Sequence, residues 1–324
     1  MKPKIKDVAK LAGVSPTTVS RVLNNRGYLS QEVREKVAKA MKELNYIPND
    51  LARSLFTQRT NLIGFIFPTT ANPFYGELIF HMENLCFERG YRVLLCNSSS
   101  QPEKEEQYVE MLLRNQVDGI ISGAHNLGIK AYQHSLPIVA IDRYLSETIP
   151  VVSSDNYQGG RLATELLIWK KCKRIIHING TREMASPANK RRDAYEDVMK
   201  ENGREFITYE IPVMGPAEKI ISQLFDEQLD VDGIFASDDH IASRIIAEAR
   251  RRNIIVPEQL KVIGYDGTSF VRSIFPELTT IQQPIVSIAE KAVDLLIEEI
   301  EGTYEKDSEK EFVFPVQLIE GSST

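Results

Sequence analysis

IKDVAKLAGVSPTTVSRVLNN, residues 5–25, decides how the rest of the chain is read. Its apolar residues are spaced for two short helices with a tight turn between them. In the first, Val8, Leu11 and Ala12 fall at i, i+3 and i+4, one apolar face. Gly13 follows at the turn, where a residue without Cβ is freest. Ser15 is placed to cap a second helix, with Pro16 at its first position, where a missing N–H costs nothing. Val19, Val22 and Leu23 give that helix its apolar face. At about 100° per residue, Thr17, Arg21 and Asn24 lie on the opposite side. Small hydroxyl, guanidinium and amide groups on one outward helix face are what the DNA major groove accepts and reads. An ordinary surface helix pair would show the same periodicity, and charge separates the two readings. Residues 1–60 hold 12 Lys+Arg against 5 Asp+Glu, a net of +7, and the rest holds 27 against 40, a net of −13. A basic module on an acidic body is the footprint of a protein that docks one end on nucleic acid.

At 324 residues the chain is too long for one typical domain and suits two or three. It has no run of 18 apolar residues, so no membrane partner is expected. No apolar stretch follows the basic N-terminus, which argues against a secretory signal. Cys86, Cys96 and Cys172 show no CxxC spacing and read as reduced thiols of a cytoplasmic protein.

A third helix is predicted over residues 31–45, capped by Ser30, with Val33, Val37, Ala40, Met41 and Leu44 in one stripe. It would close a three-helix core with the first two. Pro48 stops it, because the residue before proline avoids the helical region. Residues 49–57, NDLARSLFT, carry Ala52, Leu55 and Phe56 behind a potential Asn49 cap. Nine residues are marginal as an isolated helix, so this piece is either a helix ordered by a partner or a flexible linker. From residue 61 the pattern changes to short apolar runs alternating with helical stretches. Apolar runs stand at 62–68, 92–96, 119–121, 138–141, 175–178, 209–213, 233–236 and 262–265. Helical spacing occupies 74–89, 103–115, 129–134, 159–169, 189–201, 217–228 and 239–251. Such alternation means parallel sheets covered on both faces, and two consecutive series predict two α/β lobes. A helix over 285–301 and a last strand over 312–318 complete the chain.

There is no GxGxxG, P-loop or GxSxG, and the five histidines, His81, His125, His134, His177 and His240, lack ligand spacing. No nucleophile stands beside a base. The chain is therefore not expected to be an enzyme or to hold a metal or a cofactor. What remains is polar residues just after apolar runs: Asp142 and Arg143, Asp155 and Asn156, Asp238 and Asp239, and Asp266. In open α/β sheets ligands bind outside the carboxyl ends of the strands, so these positions line a cleft. The alternative for each is helix N-capping. Phe74 and Tyr75, after Asn72 and Pro73, supply either an aromatic wall to that cleft or core.

With these residues in hand, the whole chain resembles the LacI/GalR family of bacterial transcription repressors. The resemblance is carried by KDVAKLAGVSPTTVSRVLN, YIPNDLARSL and LIGFIFP in fixed order, by Asn72-Pro73-Phe74, Asp142-Arg143 and Asp238-Asp239, and by VIGYD ending at Asp266. Within the family it is most similar to the sucrose-operon repressors, through CNSSSQPEKEEQYVEMLLRNQVDGIISGAHNLGI and VVSSDNYQGG. The resemblance implies an α/β fold with an N-terminal three-helix helix-turn-helix head and a two-lobed periplasmic-binding-protein-like core with parallel sheets. It implies a head over 1–47, a hinge helix or linker over 48–60 and a core over 61–324. The N-lobe would take about 61–157 plus part of 284–324, and the C-lobe about 158–283. It further implies a homodimer on a pseudo-palindromic, double-stranded operator. Thr17, Thr18 and Arg21 would touch base edges beside Asn24, and Leu55 would be a minor-groove wedge. Arg191 stands in RRDAY where the family has Arg-x-x-Gly-aromatic, with Ala194 in place of the glycine, and would bind effector. Gly180, Arg182 and Asp266 fall at cleft positions of the family. Asp238 stands where many members carry Asn.

A sugar effector follows physically. Arg and Asp present paired donors or acceptors to neighbouring hydroxyls, and an aromatic face packs on the sugar's C–H side. Sucrose and fructose lead, with a sugar phosphate admitted through Arg191 and Arg182, and a purine corepressor behind them. A sugar-binding transport receptor would need the lobes but not the basic head.

Overall fold

A computed structural model describes residues 3–24, 26–47, 59–124, 129–133, 136–182, 186–212, 215–305 and 309–324. The predicted hinge helix over 49–57, Leu55 included, lies outside the described residues. The chain divides into two compact units, Met1–Thr60 and Asn61–Thr324.

The first unit holds α1 (Ile5–Ala12), α2 (Pro16–Leu23) and α3 (Gln31–Glu43). Asp7 accepts the Lys4 N–H at 2.7 Å and fixes the start of α1. Gly13 ends α1 at φ 66°, the left-handed turn predicted for it. Ser30 caps α3 by accepting the Val33 N–H at 3.4 Å. Val8, Ala9, Val19, Val37 and Ala40 make the core between the helices. Leu11, read as part of the buried face of α1, is 45% exposed instead. The buried stripe runs through Ile5, Val8, Ala9 and Ala12, which rotates Leu11 to its margin.

The second unit is two α/β lobes. One sheet takes β1 (Leu62–Phe67), β2 (Arg92–Asn97), β3 (Gly119–Ser122), β4 (Ile138–Ile141), β5 (Val151–Ser154) and β11 (Glu311–Phe314) in the order β11-β5-β4-β3-β1-β2. The other takes β6 (Ile175–Asn179), β7 (Ile207–Glu210), β8 (Gly233–Phe235), β9 (Lys261–Asp266), β10 (Thr279–Gln282) and β12 (Gln317–Ile319) in the order β12-β10-β9-β8-β6-β7. All neighbours are parallel except β12, which is antiparallel to β10. In the N-lobe, α4 (Pro73–Glu88) and α11 (Ile285–Glu301) cover one face, and α5 (Pro102–Arg114) covers the other. In the C-lobe, α6 (Asn156–Trp169) and α7 (Lys190–Glu201) cover one face. The other face carries α8 (Ala217–Glu227) and α9 (Asp239–Arg251). A short α10 (Ser269–Ile274) follows β9.

The chain passes between the lobes three times: at Asp155 between β5 and α6, at Gln283–Pro284 between β10 and α11, and at Pro315–Val316 between β11 and β12. The last of these corrects the single strand predicted over 312–318. Pro315 has no N–H to give a ladder, so the strand breaks there and its halves join different sheets. β10 and α10 carried no sequence signal that was read. The predicted strand over 209–213 sits earlier, at Ile207–Glu210, on the sheet edge. Among the described residues, no helix is long and apolar enough to cross a membrane.

Candidate functional site

In the head, Thr17 and Arg21 are exposed on α2. Thr18 is engaged locally: its N–H donates to Ser15 Oγ at 3.0 Å, and the two hydroxyls pair at 2.9 Å. Asn24 is the C-cap of α2, donating from Nδ2 to the Ser20 carbonyl at 2.9 Å. Arg21 Nε donates to the Arg26 carbonyl at 3.4 Å, and its Nη2 lies over Gly27, where a Cβ would collide with it. Thr17 and Arg21 are thus the two of the four predicted contacts whose polar ends are not spent on ending or starting a helix.

In the core, the carboxyl ends of β4, β8 and β9 meet across the gap between the lobes. Arg191, at the start of α7, is 7% exposed. Its Nε donates to Asn156 Oδ1 at 2.6 Å and its Nη1 to the Ser237 carbonyl at 2.8 Å. Its guanidinium lies flat over Tyr265, 3.5 Å from the ring centroid. Gly160 makes this placement possible: a Cβ there would stand 2.6 Å from the Arg191 carbonyl oxygen and 2.8 Å from Ala194 Cβ. Asn156 is 1% exposed and donates from Nδ2 to Asp142 Oδ1 at 3.2 Å and to the Ser154 carbonyl at 3.0 Å. The Asp142 carbonyl in turn accepts from Ser186 Oγ of the other lobe at 2.7 Å.

Three more carboxylates close the ring. Asp266 accepts from Gln283 Nε2 at 2.7 Å through Oδ1. Asp239 accepts the Gly267 N–H at 2.8 Å and the Thr280 hydroxyl at 2.5 Å. Asp238 caps α9, accepting the Ile241 N–H at 2.8 Å, and takes the Ser237 hydroxyl at 3.1 Å. Asp142 and Asp266 both sit at positive φ, 49° and 107°. Such positions cost about 1–3 kcal/mol each for a residue with a side chain and persist where the surroundings over-determine them.

Burial dominates the acidity of these groups. It pushes Asp142 up from the ordinary carboxylate range, opposed by Arg191 and the Asn156 amide. It pushes Asp239 up to about 7 against the Thr280 and Gly267 hydrogen bonds, and Asp266 well above its ordinary value against Arg191. A carboxyl near 7, as Asp239 is, both donates and accepts at neutral pH. The Tyr75 phenol is driven up by burial and then by Asp142 and Asp266, with Arg191 opposing and Asp238 adding. Tyr75, Asp142, Arg191, Asp238 and Asp266, predicted from scattered positions, therefore share one electrostatic environment.

Three predicted site residues stand elsewhere. Phe74 belongs to the N-lobe core cluster, its ring 5.4 Å from that of Tyr75. Arg143 is 2% exposed and donates from Nη1 to the Ala124 carbonyl at 2.6 Å. Burial lowers its affinity for a proton, offset first by Glu105, then by Tyr132 and Tyr75. The Arg182 side chain is 64% exposed, 3.8 Å from Glu196 and 4.0 Å from Asp193, and is drawn to α7 rather than into the ring.

Gln283 is a buried member of the site that the sequence reading did not single out, whereas Asn156 and Asp239 were placed along the cleft with helix capping as their alternative. The pairs Asp155-Asn156 and Asp238-Asp239 share one logic. The first residue caps the following helix and the second turns inward; Asp155 accepts the Gln158 N–H at 2.9 Å as Asp238 does that of Ile241. Reading the first as cap would have moved attention to the second. Among the described residues, no group of three His, Cys, Asp or Glu side chains could hold a metal ion.

The comparisons with known proteins agree with this layout. Residues 4–49 match the model for bacterial regulatory proteins of the lacI family, and residues 164–324 match the periplasmic binding protein-like domain. The sucrose operon repressor of Pediococcus pentosaceus is 48% identical over 324 residues, covering 99% of either chain. That of Streptococcus mutans is 47% identical over 324 residues, covering 100% of both. The crystal structure of the lac repressor dimer bound to operator and the anti-inducer ONPF superposes with a TM-score of 0.86 at 25% identity, covering 100% of this chain and 99% of that one. From head to C-terminus, this chain belongs to the LacI family of bacterial regulatory proteins.

Proposed function

We propose that this protein represses a carbohydrate-utilisation operon as a homodimer, and that its operator affinity is set by an uncharged sugar of the sucrose or fructose class held between the lobes. It acts as a cytoplasmic regulator and not as an enzyme. The observation that carries the choice of effector is the charge of the cleft. Asp142, Asp238, Asp239 and Asp266 surround Arg191, whose guanidinium is already bonded to Asn156 and Ser237 and stacked on Tyr265. Hydroxyls suit that ring, since each can give to one carboxyl and accept from another. A phosphate dianion suits it less, because it would enter among four carboxyl groups gathered round the single guanidinium of Arg191. Arg182, which a phosphate would need, is held near Glu196. The two relatives named above, both sucrose operon repressors, support the same class.

Operator reading is assigned to Thr17 and Arg21 at base edges, with Thr18 and Asn24 fixing the helix that presents them. The head is the basic part of an otherwise acidic chain. Leu55, beyond the head, is assigned as a minor-groove wedge at the centre of the operator. Dimerisation is supported by large apolar side chains left exposed on α4, Phe80 at 62% and Phe87 at 71%, and on α10, Phe270 at 58% and Ile274 at 63%.

A thermal-shift series tests the reading. Sucrose, fructose, their phosphates and purines are each added to the protein, since a ligand that binds only the folded state raises the midpoint. Sucrose or fructose is expected to raise it and their phosphates to leave it in place. A rise with a sugar phosphate or a purine alone would overturn the proposed effector.

A further inference from the structure

Several polar contacts join the lobes among the described residues, and one of them differs in kind. Glu77 Oε2 accepts the N–H and hydroxyl of Ser269, both at 2.8 Å, on an exposed rim. Lys190 Nζ reaches Glu311 Oε1 at 2.8 Å with both side chains about two-fifths exposed, at 43% and 40%. Ser186 bonds a backbone carbonyl, that of Asp142. The one that differs is Asn156, which is 1% exposed and holds a cleft residue of each lobe, Asp142 and Arg191.

We propose that Asn156 is the positioning residue that converts effector occupancy into lobe angle. This rests on the effector reading given above. An amide is directional: its oxygen only accepts and its nitrogen only donates. Oδ1 takes the Arg191 Nε–H, and the two Nδ2 hydrogens go to Asp142 and the Ser154 carbonyl. Both N–H groups of Asn156 are therefore spent on the protein, and its oxygen is engaged by Arg191. It is also the first residue of α6, directly after the crossover at Asp155. Asn156 and Arg191 both ride on the C-lobe, so rotation of the lobes about that crossover strains the two amide N–H bonds to Asp142 and Ser154 of the N-lobe. A sugar that bonds Asp142 and Arg191 from the cleft fixes the two groups that the amide joins from behind, and so selects the lobe angle at which all three bonds are made. The exposed Glu77 and Lys190 contacts sit in water and add little to that selection.

The test compares Asn156→Asp with wild type in the full-length protein. A carboxylate at 156 still meets Arg191 but repels Asp142, so the bridge fails on one side only. Operator affinity is measured with and without sucrose or fructose, sugar binding by titration calorimetry, and the ligand-free lobe angle by small-angle scattering. Wild type is expected to change operator affinity by at least about fivefold on adding sugar, the usual range of such couplings. In Asn156→Asp that ratio is expected to fall to near unity while sugar is still bound, and the scattering profile to broaden. The double variant Asp142→Asn, Asn156→Asp reverses the polarity of one bond, since an amide at 142 can donate to a carboxylate at 156, and is expected to recover the compact profile. Glu311→Gln, which weakens the exposed pair, keeps the wild-type ratio. A full ratio in Asn156→Asp, or an unchanged profile there, overturns the proposal. If neither sugar binds wild type, the effector reading fails, while the scattering of the single and double variants still decides the role of Asn156.

Discussion

The two lobes contribute to the cleft in different currencies. The N-lobe brings Tyr75, packed 5.8 Å from Phe67 and 5.4 Å from Phe74, together with one carboxylate, Asp142. The C-lobe brings Arg191, Asp238, Asp239 and Asp266, each already bonded to backbone or to a neighbouring side chain. One wall is mostly shape and the other mostly charge. The charged wall is expensive to disturb, because removing one member leaves others buried and unpaired, whereas trimming the shaped wall loses only packing.

The sharpest way to break this contrast is Arg191→Ala. It removes the main positive influence on Asp142 and Asp266 together. Breaking a buried charged network costs about 3–5 kcal/mol, so sugar binding should fall by over about a hundredfold while operator affinity without sugar survives. Retention of the sugar response would place recognition on the N-lobe instead. Gly160→Ala attacks the same wall indirectly. Its Cβ meets the Arg191 carbonyl and Ala194, and an overpacked contact of this kind costs about 1–3 kcal/mol. Both the unfolding midpoint and sugar affinity are expected to drop; an unchanged sugar affinity would show that Arg191 tolerates a shift of α7.

The third prediction concerns pH. Asp239 titrates near 7 when folded and lower when unfolded, so the native state holds its proton over a wider range. That contribution is full below the unfolded value and is lost as pH rises through about 7. Between pH 5 and 8 the core should lose about 2 kcal/mol from this residue, read as a falling unfolding midpoint. Asp239→Asn, whose amide oxygen can still accept from Gly267 while its Nδ2 donates to the Thr280 hydroxyl, should flatten that slope. An equally steep slope in the variant would assign the pH dependence to another group. The smallest effect is expected on the shaped wall. Tyr75→Leu should weaken sugar binding by about 1 kcal/mol, the worth of an aromatic face, without moving the pH slope. A loss as large as that of Arg191→Ala would erase the distinction between the walls.

Much of this was legible because caps and periodicity are local. Ser15 with Pro16, and Ser30, mark helix starts through bonds spanning three residues, and each start is found where the sequence puts it. The central strands of both lobes are buried on each face and read as plain apolar runs. What local pattern cannot carry is which of two adjacent polar residues turns inward. Asp239 is buried and Asp238 is a cap because the peptide following β8 is aimed by the fold, not by its own composition. Arg143 looked like a ligand from its place after β4, yet its guanidinium is taken up by Ala124, whose position depends on a different strand. The split of the last strand was marked by Pro315, but two short runs separated by one proline also read as one strand with a flaw.

The three crossings have a consequence for synthesis. Neither lobe is a continuous piece of chain, and each sheet receives its edge strand, β11 or β12, from the final stretch after residue 310. The head, by contrast, is complete once residue 44 has been made. At ribosomal speeds of about 5–20 residues per second, a nascent chain carries a finished DNA-reading head for about 10–50 s before either lobe can close. During that interval it has a reading surface and no means of being told about sugar.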